Sequence, residues 1–319
     1  MARFTGEALL QALHGIYPPI VTPFTEAEQL DEQSLARLVD FCITEGVHGI
    51  WVCGTTGEFP CLDEAERARA VQVAVEAAHG RVPVIASIGD CSTRLVIRHG
   101  RNALQAGADA VATTPPYYYA NNQTELLDFF RRVRAEVDLP LLIYNIPSTC
   151  KVRLEPDSIA TLAAEGTVIG IKDSQNDLDF FRQFYLAVRA RGVMSFKSFL
   201  GTRSLIDSGT LAGADGCIPG IASLVPRLCV QVYEAAVRRD VETARELQER
   251  VLRVQAIARF GGGSPVSNNI GSIKAGLYLL GVIASPVVRH PLRTWRSEEI
   301  ERLRQELQVL GVLPVAAGA

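Results

Sequence analysis

The sequence predicts an α/β fold, a TIM (β/α)8 barrel with a C-terminal helical extension. Three observations carry that reading. Short apolar β-branched runs alternate with helical stretches eight times at roughly even spacing, the order of a parallel closed barrel. The phrase Ala106-Gly107-Ala108-Asp109-Ala110 leads into the fourth run, and Ala212-Gly213-Ala214-Asp215-Gly216 leads into the eighth. Each reads as a helix that ends on glycine and turns at once into a strand. From about Leu224 onward the strand pattern stops and only helical segments follow. The division this implies is a barrel over 1–238 and a helical region over 239–319. An open doubly wound sheet would want a glycine-rich nucleotide loop after its first strand, and Val21-Thr22-Pro23-Phe24 offers none.

Gly6 to His14 is a polar amphipathic lead, and Gly15 to Phe24 a first strand broken by prolines. Asp31 caps a helix that runs to about Glu45 and ends at Gly46. Gly49 to Cys53 is the second strand, with Asp63 to His79 as its helix. Val82 to Ile88 and the helix Thr93 to Ala106 follow, then the strand Ala110 to Thr113 and the helix Gln123 to Glu136. Leu141 to Tyr144 is the fifth strand, backed by Pro156 to Glu165, and Val168 to Lys172 the sixth. A helix near Leu178 to Arg191, a strand within Val193 to Phe199 and a last strand at Gly216 to Pro219 complete the barrel. Pro226 to Arg238, Val241 to Phe260, Asn269 to Gly281 and Ser297 to Leu310 are helical, with Gly261 to Pro265 as a flexible break. Val315 to Ala319 reads as a frayed end.

Composition narrows the function classes. A chain with 48% hydrophobic and 21% charged residues is that of a globular protein with a large core. Its net charge of −3 leaves no basic footprint for nucleic acid. No uninterrupted apolar segment approaches membrane-spanning length, and Met1 to Glu7 lacks the layout of a signal peptide, so a cytoplasmic location is expected. Seven cysteines, odd in number and without a C-x-x-C pair, fit reduced thiols, with Cys53 and Cys217 as small core residues. The five histidines (His14, His48, His79, His99, His290) show no metal-ligand spacing, and none falls at a strand end, so no metal is expected.

The stretch Val168-Ile169-Gly170-Ile171-Lys172-Asp173-Ser174 organises the chemistry. It reads as a buried parallel strand that ends in a lysine. An amine there sits in a dry site where burial disfavours the ammonium form, making the free amine a nucleophile toward a ketone. A strand-end lysine pointing into solvent is the competing reading. Lysine scarcity bears on the choice: only Lys151, Lys172, Lys197 and Lys274 are lysine among 32 basic residues. Codon bias explains this without function, yet imine formation is a task that arginine, always protonated, does poorly.

In such a barrel the reactive groups sit where strands end. Those ends supply Thr55-Thr56, Ser87, Pro116-Tyr117-Tyr118, Tyr144-Asn145, Lys172-Asp173 and Lys197 to Gly201. A lysine, tyrosines and a threonine pair with few carboxylates fit carbonyl addition better than metal or hydrolytic chemistry. Gly54-Thr55-Thr56-Gly57-Glu58 can hold a small carboxylate on hydroxyls and backbone N–H groups, or be an ordinary turn. Tyr144 ends an apolar strand, where its hydroxyl needs a hydrogen bond or a task. The run Pro115 to Tyr119 also suits a protein interface.

Together, Gly54-Thr55-Thr56-Gly57-Glu58, Pro116-Tyr117-Tyr118, Tyr144-Asn145-Ile146-Pro147-Ser148, Gly170-Ile171-Lys172-Asp173-Ser174 and Gly213-Ala214-Asp215-Gly216 resemble the dihydrodipicolinate synthase/N-acetylneuraminate lyase family. These are pyruvate-dependent class I aldolases on a TIM barrel, and the similarity runs from about Gly15 to Leu313. The resemblance implies that Lys172 forms an imine with the pyruvate ketone, with no separate cofactor. It further implies that Tyr144 shuttles protons and that Thr55 links Tyr144 to Tyr118, which reaches into a neighbouring subunit's site. Thr55 and Thr56 would bind the pyruvate carboxylate, Gly201 and Ile218 would line the pocket, and the assembly would be a homotetramer, a dimer of dimers.

Two departures bear on the second substrate. Where the lysine-pathway synthases usually carry a carboxylate-binding arginine, this chain has Thr149, followed by Cys150 and Lys151, so a bidentate clamp is missing. Where sialic-acid lyases place acidic residues after the glycine matching Gly201, this chain has Thr202-Arg203-Ser204. Gly57-Glu58-Phe59-Pro60 is similar to aldolases acting on 4-hydroxy-2-oxoglutarate or 2-keto-3-deoxy sugar acids. The expected partners are therefore pyruvate and a small aldehyde, its acidic or hydroxylated tail met by Arg203. A 4-hydroxy-tetrahydrodipicolinate synthase with its clamp at Lys151 or Arg153 is the alternative, ahead of an N-acetylneuraminate lyase or a non-catalytic keto-acid-binding barrel.

Overall fold

Strands of two to five residues, each followed by a helix, build the frame. In the computed structural model, which describes residues 4–314, the strands are β1 (Gly15–Ile16), β2 (Ile50–Val52), β3 (Val84–Ser87) and β4 (Ala110–Thr113). They continue as β5 (Leu141–Asn145), β6 (Gly170–Asp173), β7 (Lys197–Leu200) and β8 (Gly216–Cys217). All pair in parallel, from β2 through to β8, and β8 returns to β1. Pro19 closes the ring by bridging to Trp51, with Ile20 N donating to Trp51 O at 3.0 Å and Trp51 N to Pro18 O at 3.1 Å. Pro18 and Pro19 have no N–H to give a ladder, which is why β1 stops at Ile16 rather than running to Phe24.

After the lead helix α1 (Gly6–Ala12), the strands alternate with α2 (Glu32–Thr44), α3 (Glu64–Ala78), α4 (Thr93–Gln105), α5 (Gln123–Glu136), the short α6 (Pro147–Cys150), α7 (Pro156–Ala164), α8 (Leu178–Ala190), α9 (Ile206–Leu211) and α10 (Pro226–Val237). Helix starts follow capping chemistry: Asp31 accepts from Ser34 N, and Asp63 and Asn122 complete capping boxes with Glu66 and Glu125. Because side chains alternate along a strand, the barrel has two cores. One fills the ring and includes Tyr17, Trp51, Ile85, Leu142, Tyr144, Phe199 and Ile218. The other lies between strands and helices and includes Ile50, Val52, Val111, Ile143 and Ile171.

The repeated Ala-Gly-Ala-Asp phrase has a physical cause. Gly107 and Gly213 take positive φ values of 87° and 105°, ending a helix as only glycine does readily. The aspartate then ties the new strand to its neighbour's start: Asp109 Oδ2 accepts from Val84 N and Asp215 Oδ2 from Ser198 N, each at 2.8 Å.

Beyond α10 stand α11 (Val241–Gln255), α12 (Pro265–Leu279) and α13 (Ser297–Val309). The stretch read as a flexible break is ordered instead. Ser264 caps α12 by accepting from Ser267 N, Pro265 takes its first position, and Gly263 N donates to Asn268 Oδ1 at 2.8 Å. Val315 to Ala319 lie outside the described residues. Among the described residues no helix is long and apolar enough to cross a membrane, no cluster of His, Cys, Asp or Glu could hold a metal, and all seven cysteines are free.

Candidate active site

Strand register puts the key side chains in one row. Tyr144 stands opposite Lys172 on the β5–β6 ladder, and Lys172 opposite Phe199 on the β6–β7 ladder. The Lys172 side chain therefore enters the ring, where the residue is 3% exposed. Its Nζ lies 3.9 Å from the Tyr144 ring centroid and 4.7 Å from the Trp51 ring centroid, and no carboxylate pairs with it among the described residues. Burial without a counter-charge pulls its pKa down to about 7.

The Tyr144 hydroxyl stands 3.1 Å from Thr55 Oγ1. Burial pushes its pKa up to about 12, partly opposed by the Thr55 hydrogen bond, so the phenol is protonated at neutral pH. Thr55 belongs to the turn after β2, which Glu58 N closes onto Thr55 O at 3.1 Å. A Cβ at Gly220 would meet Thr56 Oγ1 at 3.3 Å, so the turn after β8 lies against Thr56. Gly201, after β7, makes the closest approach. A Cβ there would stand 1.9 Å from Ser174 Oγ and 2.9 Å from Lys172 Cε, so this wall of the site requires glycine. Ser174 Oγ is buried close to the Tyr144 phenol, whose pKa it also helps to hold down. Asp173 points away from the ring, accepting from Asn145 Nδ2 at 2.7 Å and Gln175 Nε2 at 3.0 Å.

The fold thus brings Lys172, Tyr144, Thr55, Thr56, Gly201 and Ile218 to the ring's C-terminal end. It does not bring Tyr118 there within one chain. Tyr118 is 64% exposed, packs edge-on against Tyr119, and lies under the Lys151 ammonium. Arg203 is exposed in the loop after β7, and its guanidinium has no ion-pair partner among the described residues. Lys197, grouped with the strand ends in the sequence, begins β7, at the opposite mouth, and pairs with Asp215 at 3.3 Å. The strand starts four residues later than the apolar run at Val193, which misplaced it. Neither candidate clamp is idle: Lys151 Nζ donates to Tyr118 O at 3.0 Å, and Arg153 pairs with Glu155 at 3.1 Å.

Sequence reasoning missed Trp51, the ring beneath the amine, and Ser174, which flanks it. Period-two counting along β2 and past Lys172 would have flagged both. It also missed that Lys274 is buried against Glu58.

A family model described as the dihydrodipicolinate synthetase family matches residues 12–310. The chain belongs to this family. It is 37% identical over 301 residues to an uncharacterized DapA-like lyase of Halobacterium salinarum, covering 94% of this chain and 95% of the relative. It is 35% identical over 304 residues to a 4-hydroxy-tetrahydrodipicolinate synthase of Methanopyrus kandleri, covering 95% and 98%. Among solved structures, dihydrodipicolinate synthase from Bacteroides thetaiotaomicron superposes with a TM-score of 0.88 at 34% identity, covering 93% of this chain and 98% of that one. YagE, a prophage protein of the same family from E. coli K12 solved in complex with pyruvate, superposes with a TM-score of 0.87 at 29% identity, covering 94% and 99%. Members of this pyruvate-dependent aldolase family are lyases and synthases, and the chain is an enzyme of this kind.

Proposed function

We propose that the protein is a Schiff-base lyase that makes or cleaves a 2-keto acid, of the 2-keto-3-deoxy sugar acid or 4-hydroxy-2-oxoglutarate type, into pyruvate and an aldehyde. The observation that carries this is the buried, unpaired Lys172 amine, with a pKa near 7, lying on Tyr144. The free amine adds to the pyruvate C2 ketone, and loss of water leaves a protonated imine. That cation withdraws electrons and makes the adjacent methyl acidic. Loss of one methyl proton gives an enamine, which attacks the aldehyde carbon, and hydrolysis frees the keto acid and the amine. Tyr144 carries the protons, with Thr55 aligning its hydroxyl. Thr55 and Thr56 take the pyruvate carboxylate, and Gly201 and Ile218 leave room for the ketone. Arg203, unpaired at the rim, meets an acidic or hydroxylated tail. No cofactor is needed beyond the covalent imine.

The working form is a cytoplasmic homotetramer in which Tyr118 completes a neighbour's site. Pyruvate bound to YagE, and the engagement of Lys151 by Tyr118 O and of Arg153 by Glu155, support the lyase reading over a carboxylate-clamping synthase. A second reading, 4-hydroxy-tetrahydrodipicolinate synthase, is favoured by relatives that bear that name, such as that of Methanopyrus kandleri. Two assays decide. Borohydride reduction with pyruvate should add a pyruvate-derived mass to the peptide carrying Lys172, and an unmodified peptide refutes the imine. Turnover of pyruvate with aspartate semialdehyde, but not with hydroxylated or acidic aldehydes, would replace the first reading by the second.

A further inference from the structure

Lys274 and Glu58 form an ion pair that the chemistry above does not use. Lys274 lies in α12, outside the barrel, and Glu58 ends the turn that carries Thr55 and Thr56. Both side chains are fully buried, with Nζ 2.5 Å from Oε1. Glu58 Oε2 accepts from Arg289 N at 2.8 Å, while Lys274 Nζ also donates to Val287 O at 2.8 Å and lies over the Phe24 ring. The Arg289 guanidinium runs back over the same ring to donate to Cys61 O at 3.0 Å and to both Glu66 oxygens at 2.6 and 2.8 Å.

Stability does not call for such a pair. Desolvation of both charges cancels much of their attraction, and an apolar pair of similar volume often serves a fold as well. Geometry does call for it. Gly54 and Gly57 pack the turn closely against Trp51 and Ile20, where a Cβ would stand 2.9 and 3.0 Å from them, and Glu58 sits at φ 56°, a left-handed conformation that is uncommon for a non-glycine residue and needs surroundings that hold it. The carboxylate, held from two directions, is that constraint. Ile273, beside Lys274, reaches the Gly220 turn that lies against Thr56, so α12 braces both sides of the threonine pair.

We propose that Lys274 and Glu58, backed by Arg289, are positioning residues that set Thr55 and Thr56 for the pyruvate carboxylate. The C-terminal helical region, and not the barrel alone, then fixes affinity for the keto acid. This rests on the pyruvate reading above.

The test is borohydride labelling of Lys172 across a pyruvate titration, beside turnover at saturating pyruvate and thermal unfolding. The Glu58→Gln/Lys274→Met double variant removes both charges without stranding either. It should raise half-saturating pyruvate about tenfold or more, as small misplacements of binding groups do, while full labelling is still reached at high pyruvate. Glu58→Asp keeps the charge on a shorter tether and should move the same quantity less, which serves if the double variant does not fold. Leu277→Ala removes buried packing from the same helix and should lower the melting temperature with half-saturation unchanged. Wild-type half-saturation in both Glu58 variants, or an equal shift in Leu277→Ala, overturns the proposal. A wild-type enzyme that pyruvate and borohydride never label takes down the pyruvate reading first, and this one with it.

Discussion

At the residue scale, the proposed function turns on one amine's proton. Moving a lysine from its ordinary 10.5 to about 7 corresponds to about 5 kcal/mol against the ammonium. The faces of Tyr144 and Trp51 pull the other way, but no carboxylate among the described residues opposes the desolvation. Two outcomes follow. In the free enzyme kcat/KM for pyruvate should rise about tenfold per pH unit below 7 and level off above it, because only the neutral amine attacks. Lys172→Met should abolish labelling and turnover while stabilising the fold. The sign follows from linkage: the folded pKa lies below the unfolded one, so between pH 10.5 and 7 the unfolded chain binds a proton that the folded chain refuses. Wild-type stability therefore falls as pH drops through that window and is flat below it. Lys172→Met lacks this slope and should gain about 2–5 kcal/mol at pH 7 but little at pH 10.5, read by thermal unfolding at both. Lys172 was legible because it ends a buried β-branched run, with the chain's few lysines as secondary support. The same scarcity pointed equally at Lys274, but its place in a helix gave no sign that it is buried against a carboxylate contributed some 200 residues earlier.

At the scale of elements, the loops after β6 and β7 approach too closely for ordinary side chains. Gly201→Ala places a methyl group against Ser174 Oγ and Lys172 Cε. Overpacking of this kind costs about 1–3 kcal/mol, and here the strain falls on the stem of Lys172, the proposed nucleophile. We expect kcat/KM to drop about 10- to 100-fold, with partial recovery in Gly201→Ala/Ser174→Ala, where the nearest clash is gone. Unchanged kinetics in Gly201→Ala would show that the wall yields freely. Helices were legible to within a residue or two at the starts capped by Asp31, Asp63 and Asn122. Strands were less so, because a strand's limits depend on its neighbours. Val193 to Phe196 is as apolar as a strand, yet the β7 ladder begins at Lys197. Ser264 and Pro265 were a helix start masked by the glycines before them.

At the scale of the whole molecule, the alternation of eight strands and helices made the barrel legible, and the strand ends then located most of the site. What one chain could not supply is Tyr118. The side chain that the family resemblance assigns to the proton path stands on the surface, far more exposed than the rest of the set. An exposed tyrosine pair in a run of prolines and tyrosines is suited to burial by a second copy. If each site takes Lys172 from one subunit and Tyr118 from its partner, Lys172→Ala and Tyr118→Phe should complement one another. Each pure variant should lose most activity. Unfolding and refolding the two together at equal amounts makes about half the dimers mixed. Each mixed dimer holds one intact site and one doubly defective site, so about a quarter of wild-type activity should return. A mixture no more active than the Tyr118→Phe share alone would place Tyr118 outside the neighbour's site and leave the proton path to Tyr144 and Thr55 within a single chain.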